Sequence, residues 1–256
     1  MELGLHGKVA IVTGGSRGIG RAIVLDLARE GCQVAFSARG EEQLKATAQE
    51  VTELGATALP IQADMTNADD VERLVEETVA TFGGVDILVN NVGGSRGGMT
   101  WETSDEDWEG VFFLNLFAAV RTARQVIPVM RQRGGGRIIN ISSIYGRESG
   151  GAMTYNASKA SMISWSKSLA KQLAQEGILV NVIAPGSILF PGGSWERRQN
   201  ENPEFIANFV KMEMPLGRFG RPEEVSPMVV FLASQRASLM TGACINVDGC
   251  QSRSNI

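Results

Sequence analysis

The segment Thr13-Gly14-Gly15-Ser16-Arg17-Gly18-Ile19-Gly20 constrains this chain more than any other. A short β-branched apolar run at residues 8–13 leads into it. Residues 21–30 follow, with Ile23, Val24, Leu27 and Ala28 at helical spacing. Strand, glycine turn and helix together bend the backbone sharply and present the N–H groups of a helix N-terminus. Glycines let a pyrophosphate approach such a backbone closely, so the segment reads as a dinucleotide-binding loop rather than a merely tight turn.

The same alternation continues to the end. Strands are predicted at 33–37, 57–62, 85–89, 137–142, 178–184 and 243–247. Helices are predicted at 41–54, from an Asn67 cap to 82, from a Ser104/Asp107 capping box to about 131, at 154–176 and at 223–232 behind Pro222. Strands alternating with helices require a parallel sheet covered on both faces, an α/β/α three-layer arrangement. No linker or repeat divides residues 1–256, so one domain is expected. The Gly/Pro-broken stretch 186–215 stands out as an irregular excursion of the kind that serves as a substrate-binding loop.

Composition removes several function classes. The net charge of −4 comes without a basic stripe, which argues against nucleic acid. The apolar runs 85–89 and 178–184 fall far short of the ~20 residues of a membrane span. The first eight residues lack an apolar signal core, so a cytoplasmic location is expected. Cys32, Cys244 and Cys250 are scattered and form no metal-binding pair. The single histidine, His6, lies ahead of the first strand, which excludes a Ser-His-Asp triad and HExxH zinc chemistry. No metal is expected. Acid–base chemistry at neutral pH therefore falls to Tyr, Lys, Asp or Glu.

Tyr155 and Lys159 stand four apart on a predicted helix and share one face. A free phenol titrates near about 10, and a neighbouring ammonium favours the phenolate. Ser142 and Ser143 close the 137–142 strand; of the two, Ser142 is expected to face Tyr155, with Ser143 on the opposite side.

Taken together, the TGxxxGxG spacing, Asn90-Asn91-Val92-Gly93 after the fourth strand, Ser142 with Tyr155 and Lys159, and Pro185-Gly186 resemble the short-chain dehydrogenase/reductase family over essentially the whole chain. The resemblance implies a Rossmann-type fold with a predominantly seven-stranded parallel sheet. It implies an oxidoreductase that interconverts a ketone and a secondary alcohol: the cofactor carries hydride and Tyr155 carries the proton. It further implies that Lys159 binds the nicotinamide ribose, that Ser142 hydrogen-bonds the substrate oxygen, and that Asn115 holds a water linking Lys159 to solvent. The cofactor set it implies comprises Gly14, Ser16, Arg17, Gly18, Ile19, Gly20, Arg39, Asp64, Met65, Asn91, Gly93, Tyr155, Lys159, Pro185, Gly186 and the backbone of Ile188. Ser37-Ala38-Arg39 carries no carboxylate where an NAD-binding chain would have one, so NADP(H) is preferred, with NAD(H) as the alternative.

Among family branches the chain looks most like the 3-oxoacyl-[acyl-carrier-protein] reductases. Arg131 and Arg133 are candidate docking residues for an acidic carrier protein, but Glu176 weakens that reading, and small ketones, sugars or polyols are the competing substrates. Val92 and Phe190 depart from the family pattern. Trp195, Arg197, Arg198 and Phe205 in the excursion, and Arg147 and Glu148 in the segment 146–151, are candidate specificity residues. A homotetramer is expected from the family, paired through 104–131 and 154–176 and through 243–252. The alternative reading is a non-catalytic dinucleotide-binding regulator of the same fold.

Overall fold

The computed structural model describes residues 2–97 and 99–255. Its sheet is built from β1 (Val9–Thr13), β2 (Gln33–Ala38), β3 (Ala58–Gln62), β4 (Ile87–Asn90), β5 (Gly136–Ile141), β6 (Ile178–Pro185) and β7 (Cys244–Val247). They pair in the order β3-β2-β1-β4-β5-β6-β7, each contact parallel. The order in which strands are added to the sheet reverses between β1 and β4. In such sheets the crevice beyond the strand C-termini at this point takes the ligand.

Both faces of the sheet are covered, which is why its strands are continuously apolar. Ala10, Val12, Ile87, Val89, Ile139 and Ile141 face one way, into a cluster with α1 (Gly18–Arg29) and α9 (Pro222–Ala233). Their alternates Ile11, Leu88, Ile138 and Val180 face a second cluster with α3 (Ala68–Phe82), α5 (Ala118–Gln132) and α6 (Met153–Leu173). Helix α2 (Glu41–Glu53) covers the β2–β3 end. Local chemistry sets the boundaries. Asn67 caps α3 by accepting from the Asp69 N–H, and Gly83 ends it at φ 78°, a conformation that favours glycine.

Two stretches differ from the sequence reading. The helix expected from Ser104 to about 131 is interrupted. Helix α4 (Asp105–Phe112) passes into a π-helical turn, Phe113–Phe117, before α5. The excursion 186–215 is largely helical, not irregular: it holds α7 (Ser194–Glu201) and α8 (Pro203–Glu213). Asn202 starts α8 by accepting from the Phe205 N–H, with Pro203 in the first turn. Ile206, Met214 and Phe219, packed with Trp195 and Phe209, give this pair of helices a small core of its own. Among the described residues no helix is long and apolar enough to cross a membrane.

Candidate active site

The glycine loop is held by tight packing that admits no side chain. A Cβ on Gly20 would lie 2.1 Å from the Gly14 carbonyl oxygen, so the first turn of α1 sits directly on the loop. Gly14 and Gly18 take φ 70° and 53°. Asn91 braces the loop from β4: its amide donates to the carbonyls of Thr13 (3.0 Å) and Gly14 (3.1 Å). Asn91 is thus engaged with the loop backbone. The cradle fits a dinucleotide pyrophosphate, for Ser16, Arg17, Gly18, Ile19 and Gly20 turn around the N-terminus of a twelve-residue helix.

The remaining cofactor candidates ring the same crevice. Arg39 is exposed just past β2, while the side chain of Met65 is buried in the core and leaves only its backbone for a ligand. The Asp64 carboxylate accepts from the backbone and hydroxyl of Thr66 at 2.9 and 2.8 Å. Beyond Pro185-Gly186, Ile188 bridges Gly220 through the Ser187 carbonyl and the Leu189 N–H (3.0 and 2.9 Å), which turns the Ile188 N–H and carbonyl to the opposite edge. Phe190 lies against the loop: a Cβ on Gly18 would be 2.7 Å from its ring. Arg17 reaches the Gly192 carbonyl at 3.1 Å, so it ties the glycine loop to the start of α7.

The acid–base residues meet where β4, β5 and α6 converge. Lys159 is 2 % exposed, and its ammonium donates to the Ile141 carbonyl at 2.8 Å. Burial pulls its pKa from 10.5 down to about 7. Its nitrogen stands 5.6 Å from the centre of the Tyr155 ring. Gly93 is the neighbour that permits this approach, since a Cβ there would lie 2.6 Å from Asn115 Oδ1 and 2.9 Å from Lys159 Nζ. Burial pushes the Tyr155 phenol above its ordinary value, and a hydrogen bond with Ser143 pulls the other way. The polypeptide's own groups thus leave Tyr155 a protonated phenol at neutral pH, contrary to the lowering expected from Lys159 alone.

Asn115 lies in the π-helical turn. Its amide donates to the Val111 carbonyl (3.0 Å) and to the Gly94 carbonyl (2.8 Å), while its Oδ1 accepts from the Gly94 N–H (3.0 Å). The side chain is fully buried and fixed beside Lys159.

One assignment is corrected. Ser142 does not face Tyr155: its hydroxyl donates to the Lys159 backbone carbonyl at 3.0 Å and is buried there. Ser143 carries the hydroxyl bonded to Tyr155. Along extended backbone the side chains alternate, so Asn140 and Ser142 both point at α6, where Asn140 donates to Ser166 at 2.8 Å. Ser143 is the first residue turned over the sheet edge, and its Oγ accepts from the Tyr145 N–H at 3.2 Å. The two serines point oppositely, as expected, but it is Ser143 and not Ser142 that faces Tyr155. Of the specificity candidates in this segment, Arg147 donates to the Cys244 carbonyl (2.8 Å) and the Glu148 carboxylate is taken by Ser252 (2.9 Å) and the Arg253 N–H (2.8 Å).

Sheet order, glycine loop and the Ser143–Tyr155–Lys159 grouping define a hydride-transfer fold of the short-chain type, and comparison with known proteins agrees. Residues 8–202 match the family model for short chain dehydrogenase, and the chain belongs to that family. Among its relatives, the 3-oxoacyl-[acyl-carrier-protein] reductase of Synechocystis sp. is 39% identical, over 96% of this chain and 97% of the relative. The L-sorbose reductase of Gluconobacter frateurii, solved with NADPH and L-sorbose, superposes with a TM-score of 0.94 at 36% identity, covering 99% of this chain and all of that one. The actinorhodin polyketide ketoreductase, solved with NADPH, gives 0.91 at 36% identity over 96% of this chain and 98% of that one.

Proposed function

We propose that this chain is an NADP(H)-dependent reductase of small ketones, with Tyr155 as the acid that protonates the carbonyl oxygen. The observation that carries this reading is the convergence of Ser143, Tyr155 and the buried Lys159, whose nitrogen stands 5.6 Å from the centre of the Tyr155 ring. When bound, NADPH supplies the hydride. Ser143 donates to the substrate oxygen as charge builds there, and Tyr155 gives up its proton to that oxygen. Lys159 holds the nicotinamide ribose and, with Asn115, passes the replacement proton. Arg39 and Arg17 hold phosphate groups, and α7–α8 close the substrate side. The NADPH-bound relatives at 36% identity support the cofactor choice.

Two ion pairs favour a small ketone over a carrier-bound thioester. Arg131 is paired with Glu176 through both guanidinium arms, and Arg133 holds Asp86 at 3.0 and 3.1 Å. Arg131 is thus matched by a carboxylate of its own, and Arg133 is held on Asp86, which it shares with Lys8. The chain works as one catalytic unit in a cytoplasmic homotetramer; Phe113 and Phe117 on the α4–α5 face and Met153 at the start of α6 are exposed apolar side chains suited to that assembly. Steady-state reduction of a ketone panel with NADPH and NADH tests the reading. Turnover that is faster with NADPH supports it, and tight NADPH binding with no turnover would favour the regulator.

A further inference from the structure

We propose that Tyr145 is a specificity residue that hydrogen-bonds a second oxygen next to the reacting carbonyl, which makes α-hydroxy ketones the preferred substrate class. The inference rests on the reductase reading above and deepens it.

The ring of Tyr145 has a built seat. A Cβ on Gly150 would fall 2.3 Å from its Cε1, and a Cβ on Gly151 would fall 3.1 Å from its Cδ2. Only the Gly150-Gly151 pair, at φ 151° and 67°, lets the ring lie against this backbone. The seat itself is pinned, because the Asn156 amide donates to the Glu148 carbonyl at 2.6 Å and the C-terminal segment holds the Glu148 carboxylate. At its other end Tyr145 is tied to the reacting group: its N–H donates to Ser143 Oγ, the hydroxyl that bonds Tyr155.

The phenol is half-buried, and it lies within electrostatic reach of the Tyr155 phenol. Among the described residues no protein group hydrogen-bonds the Tyr145 hydroxyl. Burial pushes its pKa up, as do the charges of Glu213 and Glu148, and the guanidinium of Arg198 opposes them. Tyr145 therefore stays protonated and can donate. The two charged side chains of this segment are bound elsewhere, Arg147 to β7 and Glu148 to the C-terminal segment. On the reductase reading Ser143 and Tyr155 take the carbonyl oxygen, which leaves the Tyr145 hydroxyl free to meet a second substrate oxygen. A site built to hydrogen-bond a substrate hydroxyl discriminates against the analogue that lacks it.

The test compares wild type with Tyr145→Phe, which keeps the ring packing on Gly150-Gly151. Two substrate pairs are used: 3-hydroxybutan-2-one against butan-2-one, and a hexulose against its 1-deoxy analogue. NADPH affinity is measured alongside. Wild type is expected to favour the hydroxylated member at least about tenfold in kcat/KM. Tyr145→Phe is expected to lower the hydroxy-ketone value about tenfold, with the deoxy ketones and NADPH binding within about twofold of wild type. Equal loss on both members would overturn the proposal and make Tyr145 a support for Ser143. No loss on the hydroxy ketones would overturn it outright. If wild type reduces no member of either pair while binding NADPH, the reductase reading has failed, and this inference falls with it.

Discussion

Ser142 gives its hydroxyl to the backbone carbonyl of Lys159, at 3.0 Å, and so anchors the end of β5 to the middle of α6. It is Ser143, one residue on, that reaches Tyr155. The two serines should therefore fail differently. Ser143→Ala is expected to lower kcat by roughly 10²–10³, the usual loss for one donor to a developing oxyanion. Ser142→Ala should leave kcat within about threefold and cost about 1 kcal/mol of stability, measured by urea unfolding, for one buried hydrogen bond. Equal loss of turnover in both variants would contradict the assignment.

Lys159 sets a pH signature in stability. Its folded pKa of about 7 lies below the ordinary 10.5, so between those values the unfolded chain binds more protons than the folded one. Unfolding free energy from this group then rises with pH across that window, and below about 7 the full cost of the buried ammonium is present. The Lys159→Met protein is expected to exceed wild type in stability most at about pH 6. The gap should narrow steadily toward about pH 10. A gap that stays constant across urea titrations at these pH values would contradict the burial argument.

Tyr155 sets a second signature, in direction. With its phenol pushed above the ordinary value by burial, the protonated form needed for reduction dominates at neutral pH. Alcohol oxidation needs the phenolate instead, so its kcat/KM is expected to climb through the alkaline range, where ketone reduction declines. Parallel pH profiles for the two directions would show that another group limits both.

Gly93 admits no side chain, for a Cβ there would lie 2.6 Å from Asn115 Oδ1 and 2.9 Å from Lys159 Nζ. Gly93→Ala is expected to displace both and to lower kcat at least tenfold, with global stability reduced by about 1–3 kcal/mol from overpacking. Wild-type kinetics from the folded variant would show that neither side chain needs its present position.

Much of this was legible in the sequence. The β-branched runs and the glycine, Asn67 and Ser104 signals located the sheet and most helices, because each is a local backbone requirement. What escaped was information held between elements. The serine at the end of β5 depends on strand parity relative to α6, and no spacing reveals that. The π-helical turn falls in Phe113–Phe117, a run with no glycine or proline to announce it. The α7–α8 helices did carry a signal, Asn202-Pro203, but their core depends on Phe219 far along the chain. No sequence motif singles out Tyr145; its seat on Gly150-Gly151 is tertiary.

The most direct test of the account is NADPH consumption by wild type and Tyr155→Phe on the same ketones, with NADPH affinity measured on both. The account predicts that the variant binds NADPH as wild type does and loses turnover by at least about 10². Undiminished turnover in Tyr155→Phe would contradict it, because the proton would then come from elsewhere.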